Sequence, residues 1–569
     1  MMVLTTSCAA SPPPVGKSRP TETPRPLSNL PAEQACAQFF RLRDQEAGNT
    51  LPVPGPLAID AAREHLRRAA SFGFSGGLRL LQNGAVRLST ISGFADHARG
   101  VPMSGEAVFD TGSVTKQFTG AAILRLEELG RLQTSDTVEK FFPDAPEDKR
   151  RITIHQLLSH QSGLRHSIAK MNRKPPRDLA ARYIFDSPLI HPVGSKFSYS
   201  NAGYALLAII VDKVSARGYE QFLRDELWLP LGMTRTGMVL PDWSRAQVAD
   251  GLEFMGSVPV HVEDEWTPTG DNWLSRGAAG VSSTLPDLTR WAEALRSGAV
   301  LSDASRRKLF WPHARMNTKR VAYYGYGWGI NAAPDGSCLI SHNGGAGIHY
   351  DVLSIFPRQS VVVAAFNTQQ RTPWSANDNF VESINPVLTG SPLTLPQTAP
   401  GPADPRHAGV YELPTGERLR VVAEHGRLKV PSDGVAALRL FAPWRLDPST
   451  ADAPVSAAMV ERIVQGIDRA DFRLLIERLP SDVKPQAEID FWTEYWPRWV
   501  QKMGVYRGAD VIGSFAREGK VRTAVRLRFD RSSTMVAFVH SEGGRMFIDT
   551  ETRSFYPEVH LAPTGLGGY

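Results

Sequence analysis

Between residues 75 and 370 the apolar pattern changes period twice, and neither an all-helical nor an all-strand layer accommodates that. Leu78, Leu80 and Leu81 are followed by Asn83-Gly84 and then by Val86, Leu88 and Ile91. Asn-Gly between two apolar runs predicts a tight hairpin. From Val114 to Leu129 the spacing lengthens to three and four through Phe118, Ala121, Ala122 and Leu126, and Gly130 stands where a helix would stop. Helices are also expected near 60–71, Ile152 to His160, Tyr204 to Val214 and Pro286 to Leu295. The period then shortens again over 323–366. Tyr324–Ile330, Cys338–His342, His349–Phe356 and Ser360–Phe366 read as strands split by Pro334-Asp335-Gly336, by Gly344-Gly345 and by Pro357-Arg358. Strands at both ends with helices between them predict an α+β domain whose sheet closes N- to C-terminally.

A chain of 569 residues has room for about four domains. Residues 1–50 are expected to form a disordered tail, because seven prolines among many Ser and Thr leave too little apolar surface to offset ordering. The catalytic-sized domain covers 55–390. Five prolines from Pro392 to Pro405 mark a linker over 391–405. A small β module is expected over 406–450, with strands at Val410-Tyr411, Leu419–Val422, Leu428–Val430 and Leu438–Phe441. Residues 452–569 form a third unit: a helix over Ala458–Leu479, an aromatic helix over Phe491–Met503, then strands Val521–Phe529, Met535–His540 and Met546–Asp549.

Composition excludes several classes. The net charge of +6 is thinly spread, and no basic cluster marks a nucleic-acid surface. The best apolar run, Ala205 to Val211, stops at Asp212, far short of the ~18 residues that span a bilayer. Cys8, Cys36 and Cys338 are too few for a disulfide framework. His155 and His160 are five apart without a placed acidic partner, which does not suit a metal site, and no cofactor is called for.

Gly73-Phe74-Ser75-Gly76-Gly77 fits a nucleophile elbow in letters only. That motif needs a strand before its serine and a helix after it, whereas here the order is reversed. S-x-x-K occurs at Ser113–Lys116, Ser167–Lys170, Ser305–Lys308 and Ser481–Lys484. Three residues are one helical turn, so hydroxyl and amine share a face, and a helix start favours negative charge on the serine. Of the four, Ser113 opens the amphipathic helix. Tyr199-Ser200-Asn201 is the only Y-x-N among thirteen tyrosines. Its bland reading is a packed Tyr199 and an Asn201 that caps the next helix. His342-Asn343-Gly344-Gly345 ends a strand, where glycines permit close approach of another backbone, or form a plain turn.

Taken in order, Ser113-Val114-Thr115-Lys116-Gln117-Phe118, Tyr199-Ser200-Asn201 and His342-Asn343-Gly344-Gly345 resemble the three motifs of the serine β-lactamase and penicillin-binding (DD-peptidase) superfamily, in its class C and esterase-like branch. Gly93–Asp96, Leu157–Leu164 and Gly277–Thr284 match as well, so the resemblance covers roughly 60–380. It implies a β-lactamase/transpeptidase-like fold, an antiparallel sheet flanked by helices with a helical subdomain, and acyl transfer on a small-molecule or short-peptide substrate. Ser113 would be the nucleophile, Lys116 would receive or lower the affinity for its proton, and Tyr199 would pass a proton to the leaving group. Either Lys116 or Tyr199 would be the general base. Asn201, His342, Gly344 and Gly345 would bind substrate. The backbone N–H groups of Ser113 and Gly345 would form an oxyanion hole worth roughly 3–4 kcal/mol per donor.

One departure matters. The usual third motif, Lys-Thr/Ser-Gly, is absent. A histidine of pKa ~6.5 is mostly neutral at pH 7 and attracts an anionic substrate weakly. A His-x-Gly third motif resembles D-aminopeptidase and esterase members instead, with a β-lactamase as the alternative. A silent binding protein that keeps the fold is the alternative from another class, but it would not need Ser113, Lys116 and Tyr199 together.

The segment 406–450 resembles small β modules appended to such hydrolases, and 452–569 resembles nuclear transport factor-type or cystatin-like cones. Trp492, Trp496 and Trp499 share a helix face that reads as core, with a ligand pocket as the alternative. Arg522, Arg526 and Arg528 read as a solvated strand face. Leu4-Thr5-Thr6-Ser7-Cys8 resembles the end of a bacterial lipoprotein signal without its basic start and apolar stretch. Two readings follow, a leader beginning upstream with Cys8 lipidated, or an ordinary tail, and an extracytoplasmic location is expected. The sequence sets no oligomeric state.

Overall fold

The computed structural model describes residues 56–561 except 72–73, 97–98, 169–174, 242, 244–246, 254–255, 259–271, 318–321, 333–337, 347–348, 369–382, 394–403, 413–417, 425–426, 432–455, 482, 518–519, 531–532, 542–543 and 550–557. The expected tail, the turn Pro334-Asp335-Gly336, most of the linker, the strand at Leu438–Phe441, and Lys170 lie outside the described residues.

After helix α1 (Ile59–Ser71) come β1 (Gly76–Gln82) and β2 (Ala85–Ser92). Asn83 and Gly84 both have positive φ (51° and 75°), the twist that suits a two-residue turn between antiparallel strands. Helices α2 (Thr115–Glu128), α3 (Asn201–Ser215) and α4 (Leu285–Ser297) fill the middle of the chain. Strands β3 (Ala314–Asn317), β4 (Ala322–Tyr324), β5 (Gly329–Ala332), β6 (Cys338–Ala346), β7 (His349–Phe356) and β8 (Val361–Asn367) follow. The eight strands form one sheet ordered β2-β1-β8-β7-β6-β5-β4-β3, and β1 pairs antiparallel with β8 from Gly76↔Asn367 to Gln82↔Val361. The sheet therefore closes N- to C-terminally, as the periodicity implies.

All of β8 is buried, and its alternation shows why. Val362, Ala364 and Phe366 join the core that contains α2, α3 and α4. Val361, Val363 and Ala365 join a second core with Ala62, Leu66 and Ala69 of α1 and with Ile384, Val387 and Leu388. A strand sandwiched on both faces reads as a continuous apolar run because neither side meets water.

Two strand expectations need correction. Tyr324–Ile330 is not one strand: Tyr324 ends β4, Gly329 begins β5, and the chain turns between them. Gly327 takes φ +82° there, and a Cβ on it would run into the Lys116 backbone carbonyl. Gly344-Gly345 is not a turn either, since β6 runs through both, paired with Asp351 and Tyr350 of β7. Their glycine character serves an approach from another segment rather than a reversal of the chain.

Further along the chain, β9 (Gly409–Glu412), β10 (Arg418–Glu424) and β11 (Arg427–Pro431) form a small sheet. Next come α5 (Ala457–Asp468), α6 (Arg473–Arg478) and α7 (Pro485–Met503), then β12 (Tyr506–Arg517), β13 (Lys520–Phe529), β14 (Ser533–Ser541) and β15 (Arg545–Asp549). A last strand, β16 (Glu558–Leu561), returns to pair with β11. The single helix expected over Ala458–Leu479 is two helices, broken where Ala470 adopts φ +56° and Gly466 packs against the Asp471 carbonyl. Strand β12 was not expected, because Gly508 and Gly513 sit at two register shifts that interrupt its alternation. Trp492 and Trp496 are buried in this unit's core, with Trp499 packed against it. Arg526 is not on a solvated face: it is 9% exposed and pairs with Asp510 at 2.7 Å.

Candidate active site

The turn that presents Ser113 is held from three directions. Thr111 donates both its N–H and its hydroxyl to the Val281 carbonyl, at 2.9 and 2.7 Å. The Val281 N–H donates to Thr115 Oγ1 at 3.1 Å. The Gly112 N–H donates to Asp110 Oδ1 at 2.7 Å. One 3-10 turn, Gly112–Val114, then leads into α2. Behind it lies β6. A Cβ on Gly112 would stand 2.6 Å from the Gly345 nitrogen, and one on Gly344 would meet the Thr111 carbonyl and the Asp351 carboxyl. Two backbones touch here with no side chain between them, which only glycines allow. Strand β5 pairs with β6 only as far as Ser341, so the Gly344-Gly345 stretch borders the turn rather than another strand.

Lys116 lies one turn into α2, fully buried. Its Nζ is 3.1 Å from Ser113 Oγ and donates to the Ala278 carbonyl at 2.7 Å. Both partners are neutral oxygens, so nothing there repays the cost of burying an ammonium. Burial accordingly pulls the Lys116 pKa well below its ordinary value. The amine sits 4.8 Å from the Tyr199 ring centre. Tyr199 hydrogen-bonds the Ser113 side chain, yet burial dominates and pushes its phenol pKa upward, so the phenol keeps its proton. Burial thus favours the uncharged form of both groups around one hydroxyl, which suits the amine to accept a proton and the phenol to donate one.

Ser200, not Asn201, caps the following helix: its Oγ accepts the Gly203 N–H at 3.0 Å and donates to the Arg165 carbonyl at 2.7 Å. Asn201 is consequently the first residue of α3, with its side-chain Oδ1 buried and lacking a hydrogen-bond partner among the described residues. His342 stands beside Tyr199, with ring centres 6.2 Å apart. Its Nδ1 donates to the Asn343 carbonyl at 2.6 Å, and its Nε2 faces the Tyr324 hydroxyl at 2.9 Å. The carbonyl can only accept, so Nδ1 carries the proton and Nε2 receives one from Tyr324. Burial, with Lys116 nearby, lowers its pKa to about 4. His342 is therefore neutral, and both of its nitrogens are committed within the protein.

The structure thus brings Ser113, Lys116, Tyr199, Asn201, His342, Gly344 and Gly345 together. The decoys lie elsewhere. Ser75 is fully buried and accepts the Phe94 N–H at 3.1 Å, while Lys308 pairs with Glu127 at 2.7 Å. Sequence reasoning missed Tyr324, which is 1% exposed, and the Ala278 carbonyl. Ala278 lies in the Gly277–Thr284 stretch already singled out, and no local pattern marks Tyr324. Among the described residues no group of three or more His, Cys, Asp or Glu is placed to hold a metal ion.

The family model described as Beta-lactamase matches residues 65–383, more than half of the chain. Penicillin-binding protein 4* of Bacillus subtilis (strain 168) is 27% identical over 396 residues, covering 65% of this chain and 86% of that protein. Protein flp of Staphylococcus aureus (strain MW2) is 33% identical over 242 residues, 41% of this chain and 47% of that one. Among solved structures, the octameric penicillin-binding protein homologue from Pyrococcus abyssi superposes with a TM-score of 0.51 at 18% identity, covering 86% of this chain and all of that one. At that identity the likeness speaks for the fold.

Proposed function

Because the chain belongs to the Beta-lactamase family, we propose that it is a serine hydrolase working through an acyl-enzyme on Ser113. The observation that carries this reading is the buried Lys116 amine, 3.1 Å from Ser113 Oγ and, among the described residues, paired with no acid. Lys116 takes the Ser113 proton as the oxygen attacks a carbonyl carbon. The N–H groups of Ser113 and Gly345 receive the oxyanion. Tyr199 gives its proton to the departing alcohol or amine and regains one from the Lys116 ammonium. The acyl–Ser113 ester forms as the substrate's C–O or C–N bond breaks, and water reverses the same proton path to release the acid. Asn201, through its unpartnered Oδ1, takes a substrate N–H.

The substrate class follows from the third motif. A neutral His342 with both nitrogens engaged presents no cation to a substrate carboxylate, so we assign the enzyme to short esters, D-amino-acid amides or peptides rather than to β-lactams. A silent binding role is disfavoured by the paired amine and phenol, which a non-catalytic cleft would not need to keep buried. We place the protein outside the cytoplasm. The penicillin-binding relatives support this. The test is labelling with a fluorophosphonate, read by intact mass, on wild type and Ser113→Ala. Adduct on wild type alone is expected, and equal labelling of both would remove the assignment. Faster turnover of nitrocefin than of p-nitrophenyl butyrate and D-alanine amide would overturn the substrate class.

A further inference from the structure

The geometry points to His160 as the positioning residue for Tyr199, a clamp that rests on the hydrolase reading above and extends it to a residue outside the reacting atoms. The chain on both sides of Tyr199 is tied to this one residue. The Ser198 N–H donates to the His160 carbonyl at 2.8 Å, and the Ser200 N–H donates to His160 Nδ1 at 3.0 Å. Between those two anchors the imidazole lies against the phenol ring itself, with centres 4.3 Å apart and planes 35° apart. Residues 198, 199 and 200 thus each touch a different part of His160.

The backbone of His160 supports this role. It sits at φ +58°, a left-handed conformation that is unfavourable for a side chain with a Cβ and persists where something requires it. The turn puts carbonyl and ring on the same side, toward the 198–200 segment. The ring is immobilised by its neighbours: Tyr324 at 4.6 Å, Tyr204 at 5.0 Å and Phe197 at 5.6 Å. Because Nδ1 accepts, the proton resides on Nε2, and the ring is neutral. Protonating Nδ1 would turn a donor toward the Ser200 N–H and break the clamp. Full burial, with Lys116, His342 and His166 close by, keeps that from happening by holding the imidazole pKa well below its ordinary value. No atom of His160 is bonded to Ser113 or Lys116, so it acts through Tyr199.

A misplaced Tyr199 fails first where its proton is needed most, on a poor leaving group. The experiment compares kcat/KM on ethyl butyrate and p-nitrophenyl butyrate, which share an acyl group, for wild type, Tyr199→Phe, His160→Leu and His160→Asn. Leu keeps apolar volume and loses the acceptor. Asn places Oδ1 where Nδ1 stood and tolerates the left-handed backbone. For His160→Leu the expected loss is on the order of 100-fold on the ethyl ester and several-fold on the aryl ester, the pattern of Tyr199→Phe, with His160→Asn recovering most of it. Should His160→Leu not fold, as judged by circular dichroism, His160→Gln substitutes for it, since its amide reaches the Nε2 rather than the Nδ1 position. Equal losses on both esters, or a His160→Asn no better than His160→Leu, would overturn the clamp. Fluorophosphonate labelling of Ser113 in the same preparations separates the two readings: without it the hydrolase reading falls and takes the clamp with it, whereas labelled enzyme with equal losses sinks the clamp alone.

Discussion

Replacing Gly112 by alanine tests whether contact between the Ser113 turn and β6 sets the rate. The new Cβ would lie 2.6 Å from the Gly345 nitrogen, 2.9 Å from its carbonyl carbon and 3.0 Å from its oxygen, where ordinary contact begins at 3.4 Å. The turn and the strand must therefore part by about 0.8 Å at the nitrogen that serves as an oxyanion donor. A donor displaced that far is largely lost, and losing one such donor costs about 10²–10³ in kcat, or roughly 3–4 kcal/mol. Gly112 also has φ +45°, so alanine there carries a backbone penalty of about 1 kcal/mol unrelated to the contact. Gly130 isolates that penalty, since its φ is +68° and nothing lies within 4 Å of its Cβ position. Both variants should unfold at lowered temperatures, Gly112→Ala by more because of its added clash, while kcat/KM on p-nitrophenyl butyrate falls only in Gly112→Ala. If Gly112→Ala were as active as Gly130→Ala, the oxyanion argument would be refuted.

Activity should depend on pH through Lys116. Its amine form grows as pH rises, so kcat/KM climbs with pH along a limb set below the ordinary lysine pKa of ~10.4, and His342→Asn leaves that limb in place because His342 titrates at about 4. Stability follows the same sign. The unfolded lysine binds its proton near 10.4 and the folded one only at lower pH, so Lys116 costs stability as pH falls from that value, which unfolding of wild type and Lys116→Met across pH would show. Tyr324→Phe removes the donor to His342 Nε2 and leaves a buried acceptor without its partner, a loss of about 1–3 kcal/mol measurable by denaturant titration. Asp510→Ala removes the carboxylate 2.7 Å from Arg526, which is 9% exposed, and should lower the denaturation midpoint of the C-terminal unit, whereas Asp404→Ala, whose pair with Arg406 is solvent-exposed, should leave the midpoint unchanged.

Features whose cause is local were legible in the sequence. Asn83-Gly84 dictates its own turn, and serine and lysine one turn apart at a helix start share a face whatever surrounds them. The short apolar run before Asn367 announces a strand, and its unbroken apolarity follows from the two cores it separates. Features caused by tertiary contact were not legible. Gly344-Gly345 read as a turn because glycine is the residue of turns, yet the reason for it is the Thr111 carbonyl more than two hundred residues away. Tyr324 carries no motif, and only the pairing of β4 with β5 and of β5 with β6 brings it to His342. Arg526 looked solvated because alternation gives a side chain's face and says nothing of what covers that face. Asn201 lost its expected capping role to Ser200, one position earlier and equally suited by residue type.

The return of β16 to β11 makes everything between 432 and 557 an excursion from a sheet that starts before it and finishes after it. Cutting the chain at 451 would not release two independent modules, because the outermost strand of the first is supplied by the end of the second. During synthesis that sheet waits, one edge bare, until the long aromatic helix and the four strands behind it have been made. Its assembly thereby reports that the unit between those two strands has arrived.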